Sequence, residues 1–360
     1  MLTDAVARSP RRGVLLHLGV ACTVAAASLY GQSPASSEYV AFRVDAAQVV
    51  ATVRVQKVEG PQVREGLSAR PIARFGYEYF DPPDYWGVRN DHNVGDRWVI
   101  HTAPGQVFEA TVQRRVGGYL GCDQGVGVLL RVAPEQAGAF GAVRARYFVA
   151  TPAPAQTPSG AAGRSAVRTL PESTVTPDVR RSIESILDTT LARELPGVRE
   201  KAAPFLARGA TDPNSYRSDR AWARERLKIE DAMERGEGQL HYNVQAFTLS
   251  PDRVPVLFVR AEWLVGSRQG FVASLWLRAG QPIEVLKTDV GPAAWARMSL
   301  FRDGVVPSHM GLILNVLDRD RDGWGEVLFS SEGYESRSIF LLEYSPAGFQ
   351  PAAINLAGGC

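Results

Sequence analysis

Cysteine is nearly absent, with only Cys22, Cys122 and Cys360 in 360 residues, and histidine numbers five. The thiols allow at most one bond once Cys22 leaves with a leader, so disulfides are not the framework of this fold. The histidines beyond residue 31, His92, His101, His241 and His309, show neither HExxH nor any paired spacing, which argues against zinc. Also missing are GxSxG, a phosphate-cradling GxxxxGKS/T and a GxGxxG after a strand. Serine-hydrolase, P-loop and dinucleotide readings therefore lose their usual warrants, and the chain leans away from an enzyme. An excess of one charge sign is lacking too. The 40 basic and 38 acidic residues leave a formal +2, and no basic cluster is interleaved with aromatics, so nothing points to nucleic acid.

Long apolar runs are confined to residues 13–29, which follow Arg8, Arg11 and Arg12 and are rich in Leu, Val and Ala. This is the pattern of a signal peptide occupying residues 1–31, with small residues at Ala25-Ala26-Ala27 or Gly31 for cleavage. The stretch is near the lower limit for spanning a bilayer. The mature chain is therefore expected to be exported, periplasmic or extracellular, with no transmembrane span. A competing reading is lipid anchoring at Cys22, since Gly19-Val20-Ala21-Cys22 is similar to a bacterial lipobox with Gly19 in the place of Leu. Cys122 and Cys360 either pair, tying the C-terminal tail to the N-terminal domain, or remain free thiols; both readings stay open.

The most informative stretch present is Asp318-Arg319-Asp320-Arg321-Asp322-Gly323-Trp324-Gly325-Glu326. It places carboxylates at positions 1, 3, 5 and 9 around a glycine at position 6. Calcium takes six to eight oxygens at about 2.3 to 2.6 Å, so alternate residues of a tight loop must point inward. Asp318, Asp320 and Asp322 would supply side-chain oxygens, and Gly323 would take a backbone conformation that a Cβ resists. Trp324 would offer its carbonyl, and Glu326 would close the shell directly or through water. Arg319 and Arg321 are expected to point outward. An EF-hand is excluded, because position 12 is Phe329 and the apolar flanks, residues 311–317 and 326–330, read as strands rather than helices. An acidic turn neutralised by its own arginines is the plainer alternative.

A strand-loop-strand turn with its acid at position 9 resembles the FG-GAP/VCBS repeats of integrin-like propellers and bacterial exported proteins. The likeness covers about 20 residues and implies a structural calcium ion. An internal repeat at an offset of about 70 residues points the same way. It sets Asn243-Val244 over Asn315-Val316, Val256-Leu257-Phe258 over Val327-Leu328-Phe329, Phe271 over Phe340, Trp276 over Tyr344 and Gln281-Pro282 over Gln350-Pro351. The first copy carries Ser250-Pro251-Asp252-Arg253 where the second has its three aspartates, so only one calcium loop is expected. Two units cannot close a propeller of four to eight blades, which leaves a small sandwich or an open stack of two blade-like sheets.

Residues 38–150 read as an antiparallel β domain, with strands over 39–44, 49–58, 72–79, 97–102, 108–115, 126–132 and 146–151 and a helical turn over 134–140. Residues 151–176 are a Pro/Ala/Gly-rich linker. Over 177–236 the period becomes helical, with Val179, Ile183, Ile186, Leu187 and Leu191 on one face until Leu195-Pro196 interrupts. Residues 240–360 form the C-terminal β domain. The expected class is thus α+β, mainly β: an N-terminal antiparallel β domain, a helical connector and two blade-like β units.

One further stretch carries chemistry. Residues 75–86 hold six aromatics and run into Asp91, His92 and Asp96, a composition that suits a sugar-binding groove, with Asp81 and Asp84 as a candidate carboxylate pair for glycoside hydrolysis. Core-filling aromatics before a Pro-Pro turn are the preferred reading. The function expected is a non-enzymatic binding or envelope-associated module holding one structural calcium, with a glycan or an envelope protein as partner. The alternative is a polysaccharide-acting hydrolase or a surface interaction protein using residues 75–96.

Overall fold

Period-2 alternation builds the N-terminal part into a closed ring. The computed structural model describes residues 38–57, 73–74, 78–80, 92–120, 123–153, 165–211, 228, 231–266, 268–292, 310–332 and 336–359. The expected signal peptide, all three cysteines, Asp81, Asp84 and most of residues 75–91 lie outside these. The ring uses β1 (Tyr39–Arg43), β2 (Gln48–Lys57), β5 (Arg97–Ala103), β6 (Gln106–Leu120), β7 (Asp123–Val132) and β8 (Tyr147–Pro152). Every neighbouring pair is antiparallel, and β6 pairs with both β5 and β7, which closes six strands into a barrel. Two short strands, β3 (Ala73–Arg74) and β4 (Glu78–Phe80), extend the sheet beside β6. A 3-10 turn leads into α1 (Ala137–Ala142), where the helical turn was expected.

Alternation along the barrel strands gives two apolar faces. Ala41, Val49, Trp98, Ile100, Leu130 and Phe148 pack together inside, with Phe140 of α1 among them. Arg43 stacks over the Phe140 ring at 4.4 Å and donates to the Phe140 carbonyl at 3.1 Å. Val40, Phe42, Val50, Val116, Leu129 and Val149 face the other way and remain buried. A second sheet covers them.

That covering comes from the C-terminal half, which forms two antiparallel meanders. The first contains β10 (Gln239–Thr248), β11 (Pro255–Val265), β12 (Arg268–Arg278) and β13 (Glu284–Pro292), with the short β9 (Arg168–Thr169) added beside β10. The second contains β14 (Met310–Leu317), β15 (Glu326–Glu332), β16 (Ser336–Ser345) and β17 (Gly348–Gly359). Leu328, Ile339 and Leu341 pack on the barrel, while Val327, Phe340 and Leu342 face the first meander. Burial on both faces explains why β14 to β16 read as continuous apolar runs rather than alternating ones. The opposite face of the first meander, including Leu257, Val259, Leu275 and Leu277, meets Ile183 and Leu187 of α2 (Pro177–Thr211). The order of layers is barrel, second meander, first meander, helix. Each fully buried Leu or Ile at these seams stabilises by about 1.5–3 kcal/mol.

Two expectations change. Helix α2 runs for 35 residues through Pro196 instead of stopping at Leu195. A proline inside a helix removes one backbone bond and crowds the preceding turn, a local cost that the interruption expected from the sequence overstated. Thr176 caps its start, its Oγ1 accepting from the Val179 N–H at 3.4 Å. Within the expected linker 151–176, Thr151 and Pro152 lie in β8, Arg168 and Thr169 pair in β9, and Val167 is buried between the meanders.

The ladders refine the repeat alignment. The last pair of each first hairpin is Thr248↔Pro255 and Leu317↔Glu326, which sets Val256-Leu257-Phe258 in the places of Val327-Leu328-Phe329. Phe258 pairs with Trp276 as Phe329 pairs with Phe340, so the ladder equates Trp276 with Phe340 rather than with Tyr344.

Candidate metal centre

The turn between β14 and β15 is built by its own side chains. Asp320 Oδ1 accepts from the Asp322 N–H at 3.3 Å, and Asp322 Oδ1 accepts from the Trp324 N–H at 2.7 Å, two successive Asx turns. Arg321 and Gly323 lie at φ 64° and 88°. For Gly323 that conformation is free of the Cβ penalty; for Arg321 it carries a cost of about 1–2 kcal/mol. Gly325 is required by close approach. A Cβ there would lie 2.8 Å from Leu249 Cδ2, and its N–H donates to the Leu249 carbonyl at 2.8 Å.

Asp318, Asp320 and Asp322 converge, each offering an oxygen, with those atoms all within 4.8 Å of one another. Two oxygens bound to one calcium ion are at most about 5 Å apart, so the spacing is one that a single ion can bridge. Asp320 and Asp322 are exposed, whereas Asp318 is 2% exposed. Its Oδ2 accepts from the Ser165 hydroxyl, and its Oδ1 is buried with no hydrogen-bond partner among the described residues. Partial burial and the neighbouring charges of Asp320 and Asp318 hold the Asp322 carboxyl above the usual carboxylate range. The cluster has the chemistry to hold a metal ion.

Glu326 lies outside this group. It is the first residue of β15, it is buried, and its two oxygens accept from the Arg319 N–H at 3.0 Å and the Arg319 Nε at 3.3 Å. Burial pushes its carboxyl up to about 7, against the opposing pull of Arg319. Arg319 also differs from its expected outward direction. Its side chain is 11% exposed and forms ion pairs with Glu326, with Glu343 at 2.9 Å and with Glu38. Three carboxylates, from β15, from β16 and from just before β1, outweigh the solvation that a lone surface arginine would keep. Trp324 is half-buried, its ring 6.0 Å from that of Tyr344.

Sequence reasoning missed Ser165, Glu38, Glu343 and His101. They sit far away in the chain, and nothing local marks them. His101 of β5 lies in the field of Arg319 and Arg321; burial first, then those two charges, lower its pKa to about 4. The counterpart turn of the first meander is closed differently. Asp252 there accepts from Ser250, from the Val254 N–H at 3.1 Å and from Arg278 Nη2 at 2.6 Å. A protein cation meets its charge.

A cavity of about 540 Å³ lies between β10 and β14, lined among others by Glu172, Arg180, Tyr242, Asn243, Gln245 and Asn315. Glu172 and Arg180 form an ion pair at 3.2 Å, and the Tyr242 hydroxyl donates to Glu184 at 2.7 Å. Of the aromatic and acidic stretch, the described part is partly structural: His92 packs edge-on against Tyr39 and Trp98, and Asp96 Oδ2 accepts from the Asn93 N–H at 2.6 Å. Among the described residues no helix is long and apolar enough to cross a membrane. No family model, no curated protein and no solved structure matches the chain.

Proposed function

We propose that Asp318, Asp320 and Asp322 of the loop bind calcium, and that the chain is an exported binding or envelope-associated module whose C-terminal sheets this ion stabilises. The observation that carries the reading is Asp318 Oδ1, a buried carboxylate oxygen with no partner among the described residues, beside two converging carboxylates. A carboxylate withdrawn from water with an oxygen unpaired costs several kcal/mol unless a cation meets it. An all-oxygen donor set suits a hard ion, and the mixed burial of the cluster leaves room for water to complete the shell.

The two successive four-stranded meanders support reading the C-terminal half as two blade-like units of FG-GAP/VCBS type, the second carrying the metal loop. In the first unit Arg278 stands against Asp252; the ladder puts Leu342 at the matching place of the second, which has no cation there. The leader-like N-terminus supports export.

Calcium that binds only the folded loop stabilises by about 2.7 kcal/mol at a hundredfold excess over its dissociation constant, which for extracellular sites is typically near 0.1–1 mM. Melting curves of the mature protein should therefore rise with millimolar calcium relative to chelator. Asp320→Ala should abolish that rise and leave the chelator melting point nearly unchanged, since Asp320 is exposed. Identical wild-type curves with calcium and with chelator would sink the reading.

A further inference from the structure

Ser165 stands 153 positions before Asp318, yet its hydroxyl donates to Asp318 Oδ2. The Ser165 hydroxyl oxygen in turn accepts from the Val167 N–H at 3.1 Å. A serine hydroxyl has one proton to give, and here it is committed to the carboxylate, while the Val167 bond holds the oxygen in place. Asp318 is thereby pinned through Oδ2, and Oδ1 is the oxygen that has no partner. From these contacts we infer that Ser165 is a positioning residue of the metal site, so that the site spans two chain segments and ion binding locks residues 165–170 onto the C-terminal sheets. The inference rests on the calcium reading above and adds to it a residue outside the loop.

The segment is placed to transmit that lock. Val167 is buried between the two meanders, beside Val316 and Val327. Arg168 and Thr169 pair with Thr248 and Phe247, and the Leu170 N–H donates to the Ala246 carbonyl at 2.8 Å. At the residue after Thr248, the Leu249 carbonyl accepts the Gly325 N–H of the metal loop. Residues 165–170, the 249–251 turn and the metal loop are thus laced in series. Without an ion, Asp318 is a buried carboxyl group with one hydrogen-bond partner among the described residues, and parting from Ser165 to reach water is its relief. With an ion, its charge is met and the Ser165 contact costs nothing to keep. Residues that orient a metal ligand typically contribute 10–100-fold to affinity.

The test compares wild type, Ser165→Ala and Ser165→Thr as mature protein. Calcium affinity is measured by calorimetry, melting in calcium and in chelator, and amide exchange at Val167 and Leu170 with and without calcium. Ser165→Ala should weaken calcium binding 10–100-fold, with Ser165→Thr recovering it to within a few-fold. Exchange at Val167 and Leu170 should slow on adding calcium in wild type and not in Ser165→Ala. If Ser165→Ala binds with wild-type affinity and melts lower in calcium and chelator alike, the serine is structural and this inference falls while the calcium site stands. Should the alanine variant fail to fold, wild-type exchange at Val167 unaffected by calcium overturns it equally. A wild type that binds no calcium removes the site itself.

Discussion

At the scale of single residues, the surroundings of the acidic loop set two titrations against each other. Burial raises the Glu326 carboxyl from its ordinary 4.5 to about 7, even against the pull of Arg319. Between those values the folded chain holds more protons than the unfolded one, so stability falls as pH rises. His101 works in the opposite sense. It stays neutral down to about pH 4, against an ordinary 6.5, so stability falls as pH drops through that window. A gap of that size corresponds to about 3 kcal/mol for either group. The two effects offset in wild type between about pH 4.5 and 6.5. In chelator, His101→Gln should become progressively more stable relative to wild type as pH is lowered from 6.5 to 4, read from urea midpoints at each pH. Parallel profiles for the two proteins would show that His101 is not held neutral.

Among the elements, the two turns opening the meanders show how one hairpin plan takes two chemistries. In the first, Arg278 enters from β12 and meets a single acid. In the second, three acids converge and the neighbouring arginine turns away to Glu38, Glu326 and Glu343. The turns touch where Gly325 lies against Leu249, which is fully buried. A methyl group at that point would push on backbone as well as side chain, because Leu249 Cα is 3.2 Å from the position of the added Cβ. Gly325→Ala should therefore destabilise by about 1–3 kcal/mol, the usual cost of overpacking a tight contact. The check is a lowered urea midpoint at unchanged slope. A wild-type midpoint would mean that the two turns do not approach so closely.

For the whole molecule, the second meander is the central layer, and its two apolar faces tie the barrel to the first meander. Asn315 fastens the same seam with polar bonds, its Nδ2 donating to the Thr102 carbonyl at 2.9 Å and to the Tyr147 carbonyl at 3.0 Å. A seam this apolar makes separate unfolding of the barrel costly. Calorimetry should show one transition for residues 38–360, and Asn315→Ala should destabilise by about 1–3 kcal/mol, lowering its midpoint without splitting it, since two barrel carbonyls lose their donor. Two resolved transitions in wild type would contradict the coupling.

The sequence by itself determined the β character of the chain, most strand positions, the helical turn before residue 142, the start of α2 and the convergence of Asp318, Asp320 and Asp322. All of these are local: period-2 alternation, a Thr-Pro-Asp cap and alternate acids around a glycine act over fewer than ten residues. Tertiary structure alone decided the closure of the barrel through the β1–β8 and β2–β7 pairings, the inward turn of Arg319, the separation of Glu326 from the aspartates and the arrival of Ser165 and His101 beside the loop. Those depend on strands and segments meeting across as many as 200 residues and more. Local propensity does not encode such meetings, and the apolar faces that bring them about are shared by many possible pairings until the layers pack.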